Sequence, residues 1–395
     1  MVFSVVVRPF WYAISYYVVT TPNKTFLLNF LDFFLAMRYN VCMEQKSFFE
    51  KRNLHNLEKI EYLKDDLPDF IDDYFLGIEN QTSTLTRLNY AYDLRIFFDY
   101  VVKKVFKGKR TVKSLTLQDL ESIASNDIER FLSYLNHYDY NGTLESCNER
   151  AKARKLSSVR AMFKYFFSKE RISVDNAAKV SMPKLHDKEI IRLEVNEVVA
   201  LLDCAESGTG MTEHQRAFHE KTRVRDIAIL TLFLGTGIRI SELVGLNNED
   251  IDFSTNSFRV TRKGGNQAIL YFSDEVADAL ARYLAYKEDD KNTPSGEHAL
   301  FLSLKMQRIS IRAVENLVKK YSKIVTPLKK ISPHKLRSTY GTQLYRETKD
   351  IYVVADVLGH KDVNTTKKHY AAISEDIRRS VADKVVLRGD PTEKQ

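Results

Sequence analysis

Apolar residues at helical intervals between residues 67 and 170 constrain this chain more than any other feature. Leu85, Leu88, Tyr92 and Ile96 fall three, four and four apart, in a stretch that reads as a helix from about Thr84 to Val105. Gly108 ends it. Pro68 opens an earlier helix with Phe70, Ile71, Tyr74, Phe75 and Ile78 on its apolar side. Asn126 with Glu129 resembles a capping box, Asn standing in for Ser or Thr, and Ile128, Phe131, Leu132 and Leu135 follow as i, i+3, i+4, i+7. A last helix carries Leu156, Val159, Phe163 and Phe166. The region predicts a helical first domain over 67–180.

The stretch Ser181-Met182-Pro183-Lys184-Leu185-His186-Asp187-Lys188-Glu189 is polar and carries a proline, which marks a linker over 181–191. A second domain then spans 192–387, with a tail at 388–395. A length of 395 residues suits two or three domains. The helical pattern resumes at Leu193, and an apolar helix over 223–235 leads into Gly235-Thr236-Gly237-Ile238-Arg239-Ile240-Ser241-Glu242-Leu243. The glycines allow a close-packed entry into the next helix. Glu242 can share a helical face with Arg239, so an ion pair would account for the arginine. A partly buried guanidinium could equally await a substrate phosphate. Next, Ser257–Thr261 and Ala268–Phe272 flank Lys263-Gly264-Gly265-Asn266, which predicts a β-hairpin with Lys263 at its tip. A tip lysine can be merely solvated. Helices over 274–287 and 309–325 follow.

The last quarter holds His334-Lys335-Leu336-Arg337, then Leu358-Gly359-His360, then Lys368-His369-Tyr370. A tyrosine, with an ordinary pKa of about 10, is a weak nucleophile at neutral pH. To attack a phosphate it needs a proton acceptor, and cations must hold the charge that builds on the phosphate oxygens. The histidines and arginines here supply such groups. Zinc is set aside, because no acidic or cysteine ligand accompanies the histidines at metal spacing.

A second set of cations sits in the first domain. Arg150, Lys152, Arg154, Lys155, Arg160 and Lys164 are read as lying opposite the apolar stripe of the last helix, and Arg87 and Arg95 on the long helix could join them. Such a run is either a solvated face or a row of DNA phosphate contacts. A net charge of +8 suits a polyanionic partner. Cys42, Cys147 and Cys204 are too far apart to suggest a disulfide framework or a zinc site, so a reducing cytosol is expected. Residues 1–42 form an atypical hydrophobic extension, in which Arg8, Pro9, Pro22 and Asp32 interrupt any signal or membrane pattern. The expectation is a mis-called start, with translation beginning at Met43 and a polar lead over 43–66. No membrane association is expected.

Taken together, these boxes resemble the tyrosine recombinase (phage integrase) family, over residues 67 to about 385. The resemblance implies a mainly α fold with a small β-sheet: a helical amino-terminal DNA-clamping bundle, matched by Arg154-Lys155-Leu156-Ser157-Ser158-Val159-Arg160, and a catalytic domain. It implies Tyr370 as the nucleophile that forms a 3′-phosphotyrosyl link. It further implies Arg239, Arg337 and His360 as donors to the scissile phosphate, Lys263 as the acid that protonates the leaving 5′-hydroxyl, and His334 as acceptor of the tyrosine proton. No cofactor is implied: the cations take the work otherwise given to magnesium, and the phosphotyrosine bond conserves the energy for religation. The implied partners are double-stranded DNA with a specific site, three further copies of the chain in a tetramer on two DNA segments, and an accessory bending or excision factor. A short helix over 373–386 could dock on a neighbouring subunit or pack on its own domain.

Within this resemblance two roles stand, a mobile-element integrase or a Xer-like enzyme for chromosome dimers. Two other functions compete. A catalytically inactive architectural DNA-binding protein would need at least one of the six boxed residues to have drifted, and all six are present. A type IB topoisomerase shares the chemistry, but the chain has no long linker and its clamp helix is of the recombinase kind.

Overall fold

The computed structural model describes residues 47–185, 191–262, 265–294, 297–360 and 363. The chain divides into two compact units between His186 and Asp187, inside the stretch read as a linker. The extension over 1–42 and the helix expected over 373–386 lie outside the described residues.

The first unit is helical. Helix α1 (Phe48–Lys64) is capped by Ser47 with Glu50 in a reciprocal capping box. It packs on α3 (Thr84–Tyr100), and α3 packs in turn on α6 (Glu149–Ser168). Helix α2 (Ile71–Gly77) starts three residues after Pro68, later than expected, because Asp69 and Phe70 form a turn first. Helix α3 continues as a π-helical turn, Val101–Val105, so the helical path ends where Gly108 predicts. After α4 (Leu117–Ser122), α5 (Ser125–Tyr134) begins ahead of the expected Asn126 cap. Its first turn is closed by Asp127, whose carboxylate accepts the Ala124 N–H at 3.1 Å, and Glu129 takes no part. The core is aromatic: Tyr74, Phe97, Phe98, Phe131, Phe163 and Phe166 are fully buried, several in edge-to-face contact.

A hairpin not foreseen from the sequence pairs β1 (Tyr138–Tyr140) with β2 (Thr143–Glu145). Its turn is Asn141-Gly142, both residues at positive φ, as a two-residue hairpin of this hand requires.

In the second unit α8 (Glu213–Thr236) packs on α7 (Val195–Ser207), α10 (Asp274–Asp289) and α12 (Pro333–Thr348). It begins ten residues before the expected apolar run, because Thr212 and Gln215 form a capping box. Over its second half Ala228, Ile229, Leu230, Leu232 and Phe233 are all buried, the pattern of a helix surrounded by others. Buried Asp226 accepts hydrogen bonds from Thr222, Arg225, Lys320 and Tyr321, which ties α8 to α11 (Ile311–Val325). Helix α9 (Ile240–Gly245) leads to the antiparallel sheet β3 (Ile251–Asp252), β4 (Ser257–Thr261), β5 (Gln267–Tyr271), in that order. The β4–β5 pairing, Ser257 with Tyr271 through Thr261 with Gln267, is the predicted hairpin. Helix α13 (Ile351–Leu358) closes the described part of the unit.

Candidate active site and DNA-contacting face

Three arginine side chains converge on the carboxyl end of α13. A helix leaves its last carbonyls without intrahelical partners and carries partial negative charge there. Gly359, at φ +60, turns the chain in the left-handed conformation, so that the His360 N–H closes onto Ala355 and the Gly359 N–H onto Asp356. The next three carbonyls each receive an arginine. Arg262 donates to Val357 at 3.4 Å, Arg337 donates to Leu358, and Arg239 donates to Gly359 at 2.8 Å. The three guanidinium groups come from the base of the β4–β5 turn, from α12 and from the start of α9.

Arg239 and Arg337 are held differently. Arg239 caps α9: its N–H and its guanidinium both donate to Glu242, at 3.0 and 2.8 Å. The Glu242 side chain is 3% exposed and that of Arg239 is 34% exposed, so the carboxylate is a buried brace and the guanidinium keeps an open edge. Among the described residues, two of its five side-chain N–H donors are used, which leaves others for an incoming oxyanion. The ion pair expected with Glu242 is therefore present, and it leaves part of the guanidinium exposed. Arg337 is only 5% exposed and also donates to the Gly237 carbonyl at 2.5 Å, at the end of α8. Gly237 is required there. Its φ is +62, and a Cβ would come within 2.5 Å of the Tyr340 ring.

His334 stands one turn before Arg337 on α12 and is exposed, and its carbonyl accepts the Ser338 hydroxyl. His360 follows directly on the arginine-bound turn. Tyr340 is the tyrosine nearest to this cluster along α12. Burial pushes its hydroxyl pKa up, which makes it a poorer nucleophile than a free tyrosine. Lys263 and Tyr370 lie outside the described residues.

The cations of the first unit need correction. At 100° per residue, Lys152 and Lys155 fall on the same side of α6 as Leu156, Val159 and Phe163, and both are buried. Lys155 donates to fully buried Asp93 of α3, together with Arg154 and Ser158. Lys152 pairs with Glu149 at 2.7 Å. Arg87 is buried against Glu79, Arg95 pairs with Asp66, and Arg160 donates to the carbonyls of Ala177 and Val180. Apart from Lys152, whose partner lies on α6 itself, these side chains link separate elements of the bundle and do not form a single solvated row. The sequence signal was present: Lys155 precedes Val159 by four. What remains outward on α6 is narrower. Arg150, Arg154 and Lys164 are exposed and lie within an arc of about 80°. Among the described residues, Arg150 and Lys164 have no carboxylate within 4.0 Å.

Comparison with known proteins identifies the family. Residues 192–376 match the model of the phage integrase family. The chain is 31% identical over 372 residues to tyrosine recombinase XerC of Caldanaerobacter subterraneus subsp. tengcongensis, covering 89% of this chain and 98% of the relative. It is 28% identical to tyrosine recombinase XerS of Streptococcus agalactiae, covering 83% and 98%. Among solved structures, XerH bound to difH in a post-cleavage complex shares the fold with a TM-score of 0.58 at 18% identity, over 76% of this chain and 80% of that one. The Tn1549 transposon integrase with circular-intermediate DNA gives 0.55 at 20% identity, over 78% and 96%. With a family model matched over residues 192–376 and a relative at 31% identity matched over 98% of its length, the chain belongs to the tyrosine recombinase (phage integrase) family.

Proposed function

We propose that the protein is a site-specific recombinase that cuts and rejoins double-stranded DNA through a 3′-phosphotyrosyl intermediate. The observation that carries this reading is the attachment of Arg239 and Arg337 to consecutive carbonyls of one helix end, beside His360. That arrangement preorganises two planar cations for the charge that builds on a phosphate in flight. Tyr370 attacks the phosphorus and the bond to the 5′-oxygen breaks. His334 takes the tyrosine proton, and Lys263 gives a proton to the departing oxygen. The protein acts as a tetramer on two DNA segments, in the cytoplasm. Whole-length similarity to XerC and XerS favours a Xer-type role over a mobile-element integrase.

Incubating wild-type protein with duplexes of randomised sequence and recovering those covalently trapped tests this directly. The recovered duplexes are expected to converge on one sequence, cut at one position. A trapped pool as random as the input, or none trapped, would rule out site-specific cleavage.

The outward stripe of α6 is assigned to phosphate contact. Replacing Arg150 and Lys164 together by alanine is expected to weaken binding to all sequences alike. The slope of log affinity against log salt should fall by about one unit per lost contact. A slope equal to wild type would return these residues to a merely solvated face.

Lys263→Ala is expected to slow cleavage by about a hundredfold or more, the usual worth of a positioned proton donor. Replacing the bridging 5′-oxygen at the mapped cleavage position by sulfur gives a leaving group that departs as a thiolate and needs no proton. The variant should then regain most of its rate.

A further inference from the structure

Arg262 plays no part in the chemistry assigned above, yet it is the third arginine on the end of α13. Its backbone closes the turn of the β4–β5 hairpin: the Arg262 N–H donates to Asn266 at 2.7 Å, and its carbonyl accepts from Gly265 at 3.1 Å. Its side chain leaves the sheet and lies against Gly359. A Cβ at residue 359 would come 2.1 Å from Nη1, 2.4 Å from Cζ and 2.9 Å from Nε of Arg262. One terminal nitrogen reaches the Val357 carbonyl, and Nε is buried with no hydrogen-bond partner among the described residues. A buried unpaired donor costs free energy. The residue that follows Arg262 is Lys263.

We propose that Arg262 is a positioning residue that fastens the base of the β4–β5 turn to the Val357–Gly359 turn, and that proton donation by its neighbour in sequence, Lys263, depends on this attachment. This rests on the recombinase reading and on Lys263 as the acid. Arg262 acts through geometry: it brings two elements far apart in sequence to one helix end, where a proton donor must stand close to the oxygen it protonates. Glycine at 359 is the complementary half of the contact, because any side chain there would occupy the place of the guanidinium.

The test uses full-length protein and a duplex recovered by covalent trapping, made with either oxygen or sulfur at the bridging 5′ position. On the oxygen substrate Arg262→Ala is expected to cleave about 10- to 100-fold more slowly than wild type, part of the loss for removing the acid itself. On the sulfur substrate it should come within about threefold of wild type, since no proton is then required. Arg262→Lys, which keeps a donor for Val357, should retain most of the oxygen-substrate rate. A rate loss in Arg262→Ala that persists on sulfur would mean that the residue stabilises charge or fold, and would overturn the proposal. So would a normal rate on both substrates. Lys263→Ala serves as the reference: if sulfur does not rescue it, the acid assignment falls and the role of Arg262 falls with it. Rescue of Lys263→Ala without rescue of Arg262→Ala defeats the positioning role alone.

Discussion

Arg337→Ala is expected to lower the DNA cleavage rate by about 10²- to 10³-fold, the cost of removing one preorganised donor to developing oxyanion charge. The structure gives a second reason for a large effect. Arg337 links the end of α8 at Gly237 to the end of α13 at Leu358. Without it, two buried carbonyls lose a charged donor, and α13 loses the contact that sets it beside Arg239. A thermal-stability loss of roughly 1.5–3 kcal/mol for each charged hydrogen bond should accompany the rate loss. Arg337→Lys separates the two contributions. It keeps a positive charge but cannot span both carbonyls and a phosphate, because the ammonium lacks the planar fork. It should recover part of the stability and little of the rate. Cleavage by Arg337→Ala within about tenfold of wild type, in protein that binds DNA normally, would remove Arg337 from the phosphate site.

Much of this architecture is legible locally. The apolar periodicities give the helices, and the glycine turn gives the β4–β5 hairpin within one residue. The boxes around Arg239, Arg337 and His360 point to one site. What was missed has two physical origins. The first is partnering across long sequence separations. Asp93 stands in α3 between Tyr92 and Leu94, and nothing nearby tells that Arg154 and Lys155 will reach it from α6. An acid embedded in an apolar helical face is nevertheless a sign of a buried cation partner. The phase of α6 would have shown which lysines supply it. The second is that the arginines bind backbone carbonyls. Val357, Leu358 and Gly359 receive them through atoms that every residue carries, so the sequence names the donors and not the acceptors. Arg262 is silent in the sequence for that reason, since only its contacts with Val357 and Gly359 distinguish it from any turn-flanking cation. The Asn141-Gly142 turn was readable, but strands of three residues give too little alternation to recognise.

The proposed chemistry rests on Tyr370. The measurement is a denaturing gel of protein mixed with a nicked duplex carrying the trapped sequence, from which the cut segment diffuses away and religation is blocked. Wild type is expected to yield a covalent protein–DNA adduct joined to a 3′-phosphate, and peptide mapping should place the link on Tyr370. Tyr370→Phe loses one oxygen and almost no contact surface, so its DNA affinity should stay within about threefold of wild type while the adduct disappears. An adduct that persists in Tyr370→Phe, or a wild-type link mapped to another residue, would contradict the account.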